Sequence, residues 1–189
     1  MIEFSKTQTD KLNSDEFYTP YETVIEHIKL SEKYLVLSNK QKVATAFGKD
    51  NIYTKVLLDQ GYDVKDFPMF EDFISSGETN RVLIDNPPFS RASKDRKILE
   101  ENGFKYSLLG SGTRFPKSHK HGVILMEQPR IYYHNNISVL TSIFTNMSDL
   151  VFSEYPRKIE NKYDSAFIAM NLVSGTYTRD FLKENGMNL

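Results

Sequence analysis

The sequence predicts an α/β domain on a mostly parallel sheet, with antiparallel strands at one edge. Short apolar runs alternate with amphipathic segments through the first half of the chain. The second half is richer in strand-like runs. No repeat and no Pro-, Gly- or Ser-rich linker divides the 189 residues, so 1–189 reads as one domain, with segment 1–40 packing on its core.

The first element follows a turn at Thr19-Pro20, after which Val24, Ile25 and Ile28, then Tyr34 and Leu35, recur at helical spacing. KVATAF (42–47) reads as a short buried strand ending at Gly48. NIYTKVLLDQG (51–61) reads as a helix with Val56 and Leu57 inward and Gly61 at its C-terminal cap. YDVKDF (62–67) and RVLID (81–85) are the next strands, the second closed abruptly by Asn86-Pro87-Pro88. A helix over 93–102 capped by Gly103 leads to strands in KYSLLG (105–110), GVILME (122–127) and the Tyr-rich RIYYH (130–134). VLTSIFTNM (139–147) and DSAFIAMN (164–171) complete the apolar elements, while Pro116 and KSHKH (117–121) mark a loop. The residues after Gly175 read as a short amphipathic helix or a frayed tail.

Composition removes several chemistries. Without cysteine there are no disulfides, no thiolate metal sites and no cysteine nucleophile. The four histidines lack HExxH spacing, and Asp149 and Glu154 lack partners at ligand spacing, so no metal centre is expected. No apolar run approaches the roughly 20 residues a membrane helix needs. The N-terminal residues MIEFSKTQTDKLN have no signal-peptide pattern, and the expected location is cytoplasmic.

A net charge of -1 conceals an asymmetry: residues 59–78 carry six acids against one lysine, and residues 91–121 carry eight Lys/Arg against three acids. The basic segment is either a solvated surface or a phosphate-binding face.

VLIDNPPFS (82–90) carries the chemistry. An apolar strand running straight into Asn86-Pro87-Pro88-Phe89 places a rigid turn at a strand's C-terminal edge, where ligands of α/β sheets bind. The Asn86 amide oxygen and the Pro87 carbonyl are two acceptors suited to an exocyclic amine, and Phe89 is a face for a planar base. The bland reading is a diproline turn over a buried Phe.

This motif resembles the (D/N/S)PP(F/Y/W) signature of S-adenosyl-L-methionine-dependent amino-methyltransferases, above all the DNA N6-adenine enzymes of phage type and EcoRI type. EFYTPYETVIEHI (16–28) resembles their YTP segment, AFGKDNIYTKVLLDQGYDV (46–64) their first cofactor motif, and FEDF (70–73) their adenine-flanking Asp-Phe. YSLLGSG, RIYY and SVLTSIFTNM resemble the WFTN-bearing half, with Ile143 in place of the aromatic. The resemblance implies a Rossmann-like methyltransferase sheet and a catalytic turn at Asn86, Pro87, Pro88 and Phe89. It further implies cofactor contacts at Tyr18, Thr19, Pro20, Phe47, Gly48, Asp72 and Phe73, and nucleic-acid contacts at Arg91, Lys94, Arg96 and Lys97. Tyr18 is also a second aromatic wall for the base, and Ser90 a cap for the next helix. Two features depart from the family. ATAFGKD has one glycine where the cofactor loop is usually glycine-rich, and the acid for the ribose hydroxyls is Asp63 or Asp66.

The expected reaction is methyl transfer to the amine of a flipped DNA adenine; cytosine C5 methylation, which needs a cysteine, is excluded. Competing expectations are an amine of RNA or a protein amide as acceptor, or a degenerate fold acting as a non-catalytic binding or inhibitory protein. A methyltransferase core consumes nearly the whole length, with no separate target-recognition domain. Target reading therefore falls to loops 111–121 and 153–163, or to a homodimer partner or separate specificity subunit. Tyr132, Tyr133 and His134 read as an edge strand.

Overall fold

The computed structural model describes residues 19–48, 51–111, 121–126, 131–132, 138–139, 141–153, 157–161 and 168–185. Helix α1 (Tyr21–Leu35) begins where the Pro20 carbonyl accepts from the Thr23 and Val24 amides. It buries Val24, Ile28 and Leu35, with Ile25 and Tyr34 packed at the margin. Strand β1 (Lys42–Thr45) leads to α2 (Ile52–Asp59), whose first turn is capped by the Asn51 side chain accepting from the Thr54 amide at 3.0 Å. Past α2, Gly61 takes a φ of 81°, and past the later helix over Ala92–Glu101, Gly103 takes 72°. Both are left-handed helix-closing positions where glycine has no Cβ penalty.

Strand β2 (Asp63–Asp66), helix α3 (Phe70–Ser76), strand β3 (Val82–Asp85), helix α4 (Ala92–Glu101) and strand β4 (Lys105–Ser111) follow. Beyond them lie β5 (Gly122–Leu125), β6 (Ile131–Tyr132), β7 (Ser138–Val139), β8 (Thr141–Thr145) and β9 (Val151–Ser153). The described chain closes with β10 (Arg157–Asn161), β11 (Ile168–Leu172), β12 (Gly175–Tyr177) and α5 (Arg179–Glu184). The tail is therefore a strand followed by a helix, the helix capped by the Thr178 hydroxyl and anchored by buried Leu182.

Eight strands form one sheet in the order β12-β9-β5-β8-β4-β3-β1-β2. Strands β2, β1, β3 and β4 run parallel, and β9 runs parallel to β5. Antiparallel β8 lies between β4 and β5, and antiparallel β12 closes the far edge beside β9. This is a Rossmann-like α/β sheet, mostly parallel with its antiparallel strands in one half, and its order is consistent with a methyltransferase-type sheet. Short hairpins β10–β11 and β6–β7 stand apart from it.

Alternation along each strand sends successive side chains to opposite faces. Val43, Val82, Ile84, Leu109, Ile124 and Ile143 meet α1 and α2 on one face. Ala44, Leu83, Leu108, Val123, Leu125 and Phe144 meet α3, α4 and α5 on the other. Among the described residues no helix is long and apolar enough to cross a membrane.

Gly122 opens β5 against the turn before β9, and a Cβ there would stand 2.6 Å from the Ser148 carbonyl oxygen. Backbone cannot yield as a flexible side chain would, so Gly122→Ala is expected to destabilise the fold by about 1–3 kcal/mol. The urea midpoint should fall accordingly; an unchanged midpoint would overturn this account of the β5 turn.

Candidate active site

Strand β1 sits between β2 and β3, so the strand order reverses direction at β1. The crevice beyond the carboxyl ends of β1 and β3 is the ligand position of such sheets. Three chain segments reach it: Ala46-Phe47-Gly48 after β1, Asp66-Phe67 from β2, and Asp85 to Phe89 from β3.

Asp85, 2% exposed, holds the crevice together. Its Oδ2 accepts from the Ala46 amide at 2.8 Å and the Phe47 amide at 3.1 Å, and from Asn51 Nδ2 at 3.2 Å. Its Oδ1 accepts from the Asn86 amide at 2.8 Å. Burial pushes the carboxyl up to about 6, against these hydrogen bonds, which favour the charged form.

Asn86 is half-buried, and its Nδ2 donates to the Thr19 hydroxyl at 2.9 Å. Its Oδ1 is buried and takes no hydrogen bond from a described residue. A buried acceptor without a donor costs about 1–3 kcal/mol, so this atom is where a donor would be rewarded. Pro87 is buried and Phe89 half-buried against the α1–α2 core cluster. The Pro88 carbonyl is engaged, accepting from the Arg91 and Ala92 amides at 2.9 and 3.0 Å. That bond starts α4; Ser90 is exposed and does not cap it, and the Arg91 position has no side-chain cap.

On the β2 side the structure separates the two candidate acids. Asp63 opens β2 at the opposite end of the sheet and pairs with Arg81 at 3.1 Å. Asp66 closes β2 at the crevice, where Thr45 Oγ1 donates to it at 2.9 Å. Phe47 and Phe70 stack with centroids 5.4 Å apart and planes 12° apart. Gly48 takes a φ of 108°, and a Cβ at that position would meet nothing within 4 Å among the described residues.

Other expected residues fall elsewhere. Pro20 is the N-cap of α1, and Thr19 faces Asn86. Asp72 is exposed on the first turn of α3, but Phe73 is fully buried against Phe67 and Phe104. The aromatic of that segment bordering Phe47 is Phe70 instead. Arg96, 5% exposed, is packed over the Phe144 ring at 4.6 Å above Gly110 and donates to Ser93, so it is interior to the α4–sheet interface and out of reach of a phosphate. Burial lowers its guanidinium value. Arg91 is engaged with Glu71 at 2.7 Å and Asp95 at 3.4 Å, and Lys97 lies 3.6 Å from Glu101. Lys94 is exposed on α4. Thr145 and Asn146 of IFTN bond the Tyr106 and Phe104 backbone at the start of β4, the end of the sheet away from Asn86. Tyr18, Tyr133, His134, Glu154 and, of the two expected target-reading loops, residues 112–120, 154–156 and 162–163 lie outside the described residues; the second segment is not a loop throughout, since Ser153 ends β9 and Arg157–Asn161 is strand β10. Among the described residues no cluster of three or more His, Asp or Glu could hold a metal.

Sequence reasoning missed a polar chain beneath the crevice. His27, fully buried, bonds Tyr53 Oη through Nδ1 and Ser107 Oγ through Nε2, each at 2.9 Å. Ser31 Oγ bonds Ser107 Oγ at 2.8 Å and donates to the His27 carbonyl. Burial pushes the imidazole down to about 3, so it is neutral at ordinary pH. Burial, then the charge of Asp85, raises the Tyr53 phenol. The one signal available was the position of His27, a turn after Val24 and beside Ile28 on the apolar stripe.

A carboxyl with a raised folded-state value holds its proton more tightly when folded. The contribution of Asp85 is therefore complete below about pH 4 and lost as pH rises through about 6, a change of about 3 kcal/mol. Glu71 and Glu78, lowered chiefly by hydrogen bonds, act in the opposite direction, so the measurement is the difference between wild type and Asp85→Asn. In urea unfolding from pH 4 to 8, wild type should lose that stability relative to the variant between pH 4 and 6; parallel curves would refute the assignment.

Comparison with known protein families and with curated proteins found no family model and no curated sequence that matches this chain.

Proposed function

We propose that the chain transfers a methyl group from S-adenosylmethionine to the exocyclic amine of adenine in DNA, the base being flipped into a pocket over Asn86-Pro87-Pro88-Phe89. The observation that carries this reading is the Asn86 side chain: Nδ2 is held by Thr19, and Oδ1 is a buried acceptor lacking a donor among the described residues. An amine supplies that donor.

The crevice residues fit the cofactor this reading requires. Asp66 is an acceptor at the end of β2 for ribose hydroxyls, Phe47 and Phe70 are an aromatic wall for a purine, and Gly48 leaves its backbone open to approach. When bound, S-adenosylmethionine supplies an electrophilic methyl carbon on a sulfonium.

The protein's part is positioning, which can supply much of the acceleration of an in-line transfer. Asn86 Oδ1 and the Pro87 carbonyl accept from the amine, drawing its nitrogen out of planarity and freeing the lone pair. Phe89 gives the base a face. Thr19 holds the amide so that oxygen, not nitrogen, faces the amine. Lys94 contacts a flanking phosphate, since Arg91 is already paired and Arg96 is interior. Target selection falls to loops outside the described residues, to a second copy, or to a separate specificity partner.

One observation favours a non-catalytic reading: the Ala46 and Phe47 amides of the glycine-poor loop are already bound to Asp85. Calorimetry with S-adenosylmethionine on the folded protein separates the two readings, and absence of binding decides for the non-catalytic one.

Asn86→Ala is expected to cut the rate of tritiated-methyl transfer to DNA by about 10²–10³, with cofactor affinity kept, because it removes a contact made to the reacting amine. Thr19→Val is expected to lower kcat about tenfold with little change in cofactor affinity. Label appearing in RNA or protein but not DNA would overturn the substrate assignment.

A further inference from the structure

At the edge of the sheet opposite the crevice, where β1, β3 and β4 begin, lies a cleft of about 590 Å³. Four cationic side chains from three segments line it: Lys40 and Lys42 where the turn after α1 enters β1, Arg81 just before β3, and Lys105 at the start of β4. No acidic side chain lines it among the described residues.

The four cations are not equivalent. The Arg81 side chain is 12% exposed and engaged by Glu78 and Asp63, with further bonds to the Val43 and Asp63 carbonyls. It is a wall of the cleft. Lys40, Lys42 and Lys105 are exposed and make no ion pair with a described residue.

Ammonium groups brought round one concavity repel each other and focus a positive potential that an anion relieves. Lysine binds phosphate as a compact point charge. The volume lies in the range of small-molecule sites, well above what a lone phosphate fills. Buried Leu35 and Val82, with half-buried Met147, provide an apolar floor. The exposed Thr79 hydroxyl and Asn80 amide stand at the rim for polar contacts.

We propose that this cleft binds a phosphorylated small molecule of nucleotide size, its phosphates on Lys40, Lys42 and Lys105 and its organic portion on the apolar floor. The site is separate from the Asn86 crevice and does not rest on the methyl-transfer reading.

Calorimetry on the full chain at low salt, with ATP, pyrophosphate, inorganic phosphate and a ten-nucleotide single-stranded DNA as probes, tests this. ATP should bind more tightly than pyrophosphate or phosphate, and Lys42→Ala/Lys105→Ala should weaken it at least about tenfold. Both lysines are exposed, so thermal unfolding of that variant should match wild type. Asp66→Asn, at the other edge, should leave ATP binding unchanged. The proposal is overturned by absence of ATP binding, by equal ATP affinity in the double lysine variant, by pyrophosphate binding as tightly as ATP, or by affinity confined to the oligonucleotide.

Discussion

The crevice depends on one buried carboxylate. An isolated charge in a protein interior costs many kcal/mol, so Asp85 is tolerable only with its donors in place. Those donors come from different parts of the chain: the loop after β1, the cap residue of α2, and the residue following Asp85 itself. Satisfying one side chain therefore closes the β1–α2 loop onto β3 and pins the backbone of Asn86. Asn51 is doubly used, its oxygen capping α2 and its amide nitrogen reaching Asp85. Burial raises the carboxyl to about 6 even though all of these hydrogen bonds favour its charged form.

Below this anchor the α1 face of the sheet is not purely apolar. His27, Ser31, Tyr53 and Ser107 join α1, α2 and β4 through bonds of 2.8–2.9 Å. A closed network of this kind fixes the relative placement of its elements more sharply than dispersion contacts, because removing any member leaves a buried partner unsatisfied. Thr19 lies two residues before the start of α1, so the rigidity of α1 carries to the hydroxyl that orients Asn86.

Features with local physical causes were legible in the sequence. Gly61 and Gly103 end helices because the left-handed backbone needs them, and the prolines after Asp85 stop β3 wherever that strand lies. Features decided by distant partners were not. Arg96 looked like a surface cation because its neighbours are charged; its burial depends on Phe144 in β8 and on Gly110, where any side chain would strike the Phe144 ring. Phe70 and Phe73 sit three apart on a short helix and both face inward, so the order FEDF could not say which borders the crevice. The basic run from 91 onward was split because α4 and its following turn carry the chain from one sheet edge to the other, leaving Lys94 near the NPPF turn and Lys105 at the opposite end.

The glycine-poor loop after β1 bears on which ligand suits the crevice. A dinucleotide site uses the loop amides and the following helix start to receive a pyrophosphate. Here the Ala46 and Phe47 amides face a carboxylate, and Asp66 adds a second acid nearby at the end of β2. Phosphate would meet two acids and find these amides engaged, whereas a ribose hydroxyl would meet an acceptor. A phosphate-free nucleoside carrying a positive sulfonium fits that electrostatic pattern, and a dinucleotide does not. The feature that departs most from the resembled family therefore argues less against a methyl donor than against the other nucleotide cofactors such sheets hold.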